Sequence, residues 1–211
     1  LEQILKMTER GEANGSPLDQ QAIRDLVNRK SFDPMYIVSG NGKTIPVEQS
    51  VSSIRLDETS AEGVLLVLSD ITERLAVEQM LYKLYRAVDQ SPALVIITDA
   101  RGTIEFINPR VVEITGYSYG ELLGKNPRIF RSGVHDTGFY SDLWDAILSG
   151  NTWQGLMCDR RKDGSLYWET AIISPIMKEN GEITHFLKIA EDITARREAE
   201  EDYRRKAREQ E

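Results

Sequence analysis

Laid on itself with an offset of 122 residues, the chain of 211 residues repeats without a gap, and this repeat constrains the fold more than any single motif. Gly42 falls on Gly164, Ser52 on Ser174, Ile54 on Ile176 and Leu65 on Leu187, and DITER at 70–74 falls on DITAR at 192–196. The period is that of a domain, not of a solenoid, whose repeats run about 20–50 residues. Each copy opens on a turn, GNGK or KDGS, entered and left by strand-like runs. Asn-Gly and Asp-Gly between such runs are strong hairpin signals, because both residues tolerate positive φ. A second turn and a third apolar run, VLLVLS or THFLKIA, complete a three-stranded antiparallel meander in each copy.

After the third strand comes Asp-Ile-Thr and then a charged helical run. Asp or Thr there can accept hydrogen bonds from free amides of the first turn, and the carboxylate favours the positive helix end. In the first of these helices Val77, Leu81, Leu84 and Val88 recur at spacings of four, three and four, a seam suited to packing on the chain's own domain or on another helix. The second helix is nearly all charged, with Tyr203 almost its only large apolar residue, so it is expected to lead toward something further on.

The second copy extends upstream. ALVIITDARGTIEFINP predicts two strands joined at Asp99–Gly102, RVVEITGYSYGELLGKNP predicts short helices broken at Gly116, Gly120, Gly124 and Pro127, and HDTGFYSDLWDAILSGN places Phe139, Leu143, Trp144 and Ile147 on one helical face. Two strands, short helices, a longer helix and three strands make an α+β domain of roughly a hundred residues. The first copy shows only the back half. Its opening 30 residues read as helix-like ends around a Gly/Asn/Ser/Pro loop, so one sheet edge is expected to lie open.

The motifs TDARGTIEFINP (98–109), ITGYSYGELLGKNP (114–127), RRKDGSLYWE (160–169) and the two DIT exits together resemble PAS sensory domains in tandem. The resemblance implies a PAS fold: a five-stranded antiparallel sheet with short helices on one side enclosing a small pocket. It divides the chain into the C-terminal part of a first domain (1–72), a helical connector (73–90), a complete second domain (91–194) and an output linker (195–211). PAS modules act as sensors in histidine kinases, cyclic-dinucleotide enzymes and transcription regulators.

Within the family, GKNPRIFRSG (124–133) carries Pro127 where the flavin photosensory LOV branch has its reactive cysteine, which excludes that photochemistry. NPRIFRSG, FYSDLWDAILSGNTWQG and CDRRKDG are instead similar to the redox-sensing branch that holds FAD, and to PAS modules preceding GGDEF and EAL domains. That likeness implies a cofactor pocket at Pro127, Trp144 and Asp159. Trp144 matches the branch; Asp159 stands where its asparagine lies. An asparagine amide accepts from flavin N3–H and donates to O4, whereas an ionised aspartate only accepts, so FAD would need a protonated Asp159, a bridging water or another polar partner. FAD and an empty or small-ligand pocket both remain open, with haem behind them.

Other residues read more plainly. Trp144 and Trp153 also suit core packing, and RRKDG suits either a solvated hairpin tip or a pyrophosphate site. Cys158 is expected to be a small buried hydrophobe, and His135 a solvated loop residue. One cysteine with two histidines supplies neither a disulfide nor a zinc set, so no metal is expected. A net charge of −8 argues against nucleic acid, and no apolar run spans a bilayer, which predicts a cytoplasmic chain. No pairing of nucleophile, base and oxyanion donors emerges, so catalysis is expected only in an attached output domain. The reading is a sensory input module, a homodimer through its PAS and connector helices, that signals through Asp192 and Thr194, or Asp70 and Thr72 in the first copy. The rivals are a cofactor-free dimerisation scaffold and, more weakly, a flavin-dependent enzyme.

Overall fold

The computed structural model describes residues 6–8, 16–17, 35–38, 42–55 and 62–208. They fall into two compact units, Leu1–Lys83 and Leu84–Glu211.

In the first unit, β3 (Met35–Val38), β4 (Thr44–Arg55) and β5 (Glu62–Asp70) form the expected meander. Within the first expected helix-like end Lys6–Thr8 (β1) is a strand, and in the expected loop Ser16–Pro17 (β2) is another, giving the order β2-β1-β3-β4-β5; the second helix-like end lies outside the described residues. β1 pairs antiparallel with the edge of β3, whose amides and carbonyls would otherwise lack partners. β5 ends the sheet, the open edge that the sequence predicts, among the described residues. Met35 and Val47 centre a small core with Ile37, Ile45, Leu66 and Leu68. Helix α1 (Thr72–Asp89) follows; of its seam residues Val77, Leu81 and Leu84 are exposed and Val88 is half-buried.

The second unit carries β6 (Leu94–Asp99), β7 (Ile104–Ile107), β8 (Trp153–Arg160), β9 (Leu166–Met177) and β10 (Ile183–Asp192) in the order β7-β6-β10-β9-β8. Between β7 and β8 run α2 (Pro109–Thr115), α3 (Tyr119–Leu122), a 3₁₀ turn (Pro127–Phe130) and α4 (Thr137–Leu148). Gly116 ends α2 at φ 75°, a left-handed position that suits glycine. Gly120, an expected breaker, instead lies inside α3, where Ser118 and Glu121 form a reciprocal cap that offsets its cost. Helix α5 (Thr194–Arg208) leaves the last strand.

The meander registers are the same in both copies: Val47 lies opposite Asp70 as Glu169 lies opposite Asp192, and Ile37 opposite Ile45 as Asp159 opposite Tyr167. The repeat is therefore structural as well as sequential.

Asn108 fixes the start of the second sheet. Fully buried, it accepts from the Val95 amide (2.9 Å) and donates to the carbonyls of Ala93 (2.9 Å) and Val88 (3.2 Å). Asn108→Ala strands the Val95 amide and the Ala93 carbonyl in the interior, and is expected to cost about 2–4 kcal/mol in chemical denaturation.

Candidate functional site

The inner face of the second sheet is set by alternation. On β9 Tyr167, Glu169, Ala171 and Ile173 point inward; on β10 Phe186, Lys188 and Ala190 do. With the helices they enclose a cavity of about 100 Å³. Its apolar wall includes Ile96, Ile173 and Phe186, with the Trp144 ring edge-on to Phe186 at 5.8 Å. Trp144 and Trp153 both pack against the core, so the core reading of these tryptophans and the cavity reading of Trp144 are compatible.

The stretch GKNPRIFRSG is a wall of this cavity, contributing Asn126, Pro127, Arg128 and Arg131. Its end is fastened to β8: Arg131 bridges Asp159 through the backbone, Ser132 Oγ donates to the Cys158 carbonyl, and the Cys158 amide donates to His135 Nε2 (2.8 Å). His135 is thus no solvated loop residue; it is half-buried, stacked on Phe139, and must present a bare ring nitrogen to accept that bond. Cys158 is fully buried, and burial pushes its thiol above the ordinary range.

At the sheet end of the cavity sits a cluster that sequence reasoning only half anticipates. Asp159 (2% exposed), Glu169 (0%) and Lys188 (8%) converge from three adjacent strands. Lys188 Nζ forms an ion pair with Glu169 Oε1 and lies 3.5 Å from Asp159 Oδ2. Neither Glu169 oxygen has a well-aligned hydrogen bond, and Oε2 has no partner among the described residues. Burial raises the Glu169 carboxyl above its ordinary range, the pull of Lys188 offsets only part of this, and Asp159 adds to the rise. For Lys188 burial acts downward, but Glu169 and then Asp159 outweigh it and hold the ammonium above its ordinary range. Two carboxylates share one cation. The positions 122 residues earlier are Ile37, Val47 and Leu66, so the first copy fills the same register with aliphatic side chains.

The cluster borders the exit. Asp192, opposite Glu169, accepts from the Thr194 amide (2.9 Å) and pairs with Arg161 (2.9 Å), while Thr194 Oγ1 accepts from the Trp168 amide (2.9 Å). Arg197, in the first turn of α5, lies 4.2 Å over the Trp168 ring. In the first copy Asp70 holds Thr72 in the same way, but both are exposed. Arg161 also donates to the carbonyls of Ile114 (2.8 Å) and Leu166 (3.1 Å), and Lys162 pairs with Glu121 (2.6 Å). Within the RRKDG cluster Arg161 is therefore tied into its own domain, while Lys162 stays exposed at the tip and pairs with Glu121 at the surface. The described residues contain no group of three or more metal-ligating side chains.

A five-stranded antiparallel sheet closed by short helices over a cavity, with a helix leaving the last strand, defines the class as an α+β domain of PAS type. Comparison makes the class specific: residues 82–193 match the PAS fold family and residues 2–73 match a PAS domain family. The chain belongs to the PAS family, as two domains in tandem. The nitrogen fixation regulatory protein of Klebsiella oxytoca is 34% identical over 110 residues, 52% of this chain and 22% of that protein. The aerotaxis receptor of Escherichia coli is 30% identical over 96 residues, 46% of this chain and 19% of the receptor. The chain thus spans about a fifth of these curated relatives, which are sensory regulators. In fold it is similar to an RNA-binding light-oxygen-voltage receptor, with TM-score 0.55 and 21% identity, over 78% of this chain and 44% of that one. No helix among the described residues is long and apolar enough to cross a membrane.

Proposed function

We propose that the second domain is the ligand-sensing input of a signalling protein, that its cavity holds the heteroaromatic ring of a flavin, and that occupancy is relayed through Asp192 to α5. The observation that supports this is the buried Asp159–Lys188 pair at the sheet end of the cavity, at positions where the first copy carries only aliphatics. Buried charge costs stability, and a domain with an apolar alternative in its own repeat retains it here for recognition.

The residues suit a flavin in chemistry. Lys188 supplies the hydrogen-bond donor that Asp159 lacks, Tyr140 and Trp144 offer aromatic surface, and Arg128 and Arg131 give the wall positive charge for a phosphate tail. A cavity of about 100 Å³ is smaller than the roughly 300–1,000 Å³ of ligand sites, so the tricyclic ring requires the surrounding side chains to move apart. That movement distinguishes an occupied from an empty state, the condition for a ligand to shift a population. The whole protein, on this reading, couples the domain to an output domain and dimerises through the exposed Val77, Leu81 and Leu84 seam of α1.

The test is an absorption spectrum of the purified protein, before and after incubation with FAD, and identification of what denaturation releases. Stoichiometric FAD supports the reading. A protein that stays colourless with added FAD overturns the flavin assignment and favours the second reading, a cofactor-free dimerisation scaffold, to which the small cavity and the exposed α1 seam also point.

A further inference from the structure

We infer that His135 is a proton-operated clasp between the cavity wall and the exit helix. Neutral, it closes the edge of β8 and leaves the Trp168 ring to Arg197; protonated, it opens that edge and loosens α5 from the sheet. The device needs no occupant in the cavity and stands apart from the flavin reading.

β8 is the last strand of its sheet, so its outward amides and carbonyls need partners from elsewhere. At Cys158, 0% exposed, both partners come from one short segment: Ser132 Oγ donates to the carbonyl, and His135 Nε2 accepts from the amide (2.8 Å). The second bond exists in only one protonation state. A neutral imidazole with its proton on Nδ1 has a lone pair at Nε2, whereas an imidazolium carries N–H on both nitrogens and turns one of them against the Cys158 N–H. The amide is then a buried donor without an acceptor. Histidine is the side chain whose charge ordinarily changes between about pH 5 and 8.

The surroundings of the ring make the charged state reachable and give it an effect at a distance. His135 stacks on Phe139 at 3.9 Å and meets Tyr140 and Trp168 edge-on at 6.4 and 6.3 Å. A stacked aromatic face attracts a cation, which offsets part of the cost of charging a half-buried ring. Two of these rings already carry a cation: Arg131 lies 3.8 Å over Tyr140, and Arg197 lies 4.2 Å over Trp168. An imidazolium therefore competes with Arg197 for Trp168 and repels it, and Arg197 has Glu201 on its own helix, at 3.8 Å, to turn to. The other ionisable groups around the clasp are accounted for. Burial raises the Cys158 thiol and the Tyr140 hydroxyl above their ordinary ranges, so both stay protonated here. The Asp136 carboxylate accepts from the Phe139 amide (2.9 Å), and Asp159, next on β8, lies 3.5 Å from Lys188.

The test follows the full chain by NMR and amide hydrogen exchange from pH 8 to pH 5, each exchange rate divided by the intrinsic rate at that pH. The chain has two histidines, and His185→Gln leaves His135 as the one imidazole to titrate. As its ring resonances report protonation, protection of the Cys158 amide and of residues 194–198 should fall together by roughly ten-fold, the worth of one buried hydrogen bond. β7, at the far edge of the sheet, should keep its protection, which separates the event from global unfolding. The double variant His135→Gln/His185→Gln, whose amide oxygen at 135 accepts from Cys158 without taking up a proton, should stay flat over the same range. The inference is overturned by a His135 ring that stays neutral down to pH 5, or by one that titrates while protection at 194–198 does not move. It is equally overturned by a pH dependence that survives in the double variant, which would assign the response to Glu169, the residue after Trp168 on β9, whose carboxyl burial raises.

Discussion

Replacing Asp159, Glu169 and Lys188 together by isoleucine, valine and leucine is expected to leave the second domain as stable as wild type or more so, by up to about 4 kcal/mol, whereas Lys188→Met alone is expected to cost about 3–5 kcal/mol. The difference is what remains behind. The single change leaves two carboxylates, 2% and 0% exposed, facing each other without the ammonium between them. The triple change removes every charge and installs the residues that occupy the same register in the first copy. Its smaller side chains leave some empty space, which offsets part of the gain. The single variant should also depend strongly on pH. Glu169 already has its carboxyl raised by burial, so the folded chain binds that proton more tightly than the unfolded chain does. Stability from such a group is fully present below the ordinary glutamate range and is lost as pH rises through the folded value. Removing Lys188 takes away the one nearby charge that lowers Glu169, so the loss extends to higher pH. Thermal melts at pH 5 and pH 8 should show the deficit of Lys188→Met growing toward pH 8, with the triple variant nearly flat across the same range. A single variant as stable as wild type at pH 8 would contradict the charge assignment.

How much of this was legible beforehand follows from what kind of signal each feature leaves. The meanders, their turns and the DIT exits were readable because hairpin turns and period-2 alternation are local, and because the copies agree in register from the DIT exit as far as Ile54 and Ile176. Trp144, Pro127 and Asp159 were singled out by resemblance, and all three line the cavity. Lys188, Glu169 and Arg161 were missed, although a signal existed for two of them. In LYWETAIIS and THFLKIA, Glu169 and Lys188 occupy the inward phase of their strands, between Tyr167 and Ala171 and between Phe186 and Ala190, and the repeat sets Val47 and Leu66 against them. A charge in the apolar phase of one copy only is a candidate functional residue. Nothing local distinguishes Arg161 from its neighbour Arg160, since its partners Ile114 and Asp192 lie 47 and 31 residues away. Lys6–Thr8 misled for the opposite reason: a three-residue strand is defined by the edge it completes, which no local pattern announces.

Asp192→Ala is expected to release the start of α5 while leaving the cavity intact. The carboxylate is only 12% exposed and does two jobs: one oxygen accepts from the Thr194 amide, and the other pairs with Arg161, whose guanidinium also holds the Ile114 and Leu166 carbonyls. Alanine removes both. Loss of the turn and of a partly buried ion pair amounts to about 1–2 kcal/mol, which falls on the docking of the first turn of α5. Hydrogen exchange at residues 194–198 should therefore quicken several-fold, while β7, at the far edge of the sheet, keeps its protection. Ligand affinity should stay within about two-fold, because Asp192 does not line the cavity. Asp192→Asn, which keeps the acceptor for Thr194 and gives up the charge facing Arg161, should fall between. Asp70→Ala should have the smaller effect, since the equivalent carboxylate in the first copy is exposed. If Asp192→Ala leaves exchange at 194–198 unchanged, Asp192 is not what ties α5 to the sheet. The contacts that remain are the Trp168 amide to Thr194 Oγ1 and Arg197 over the Trp168 ring, and Arg197→Ala combined with Thr194→Val then becomes the change that should free the helix.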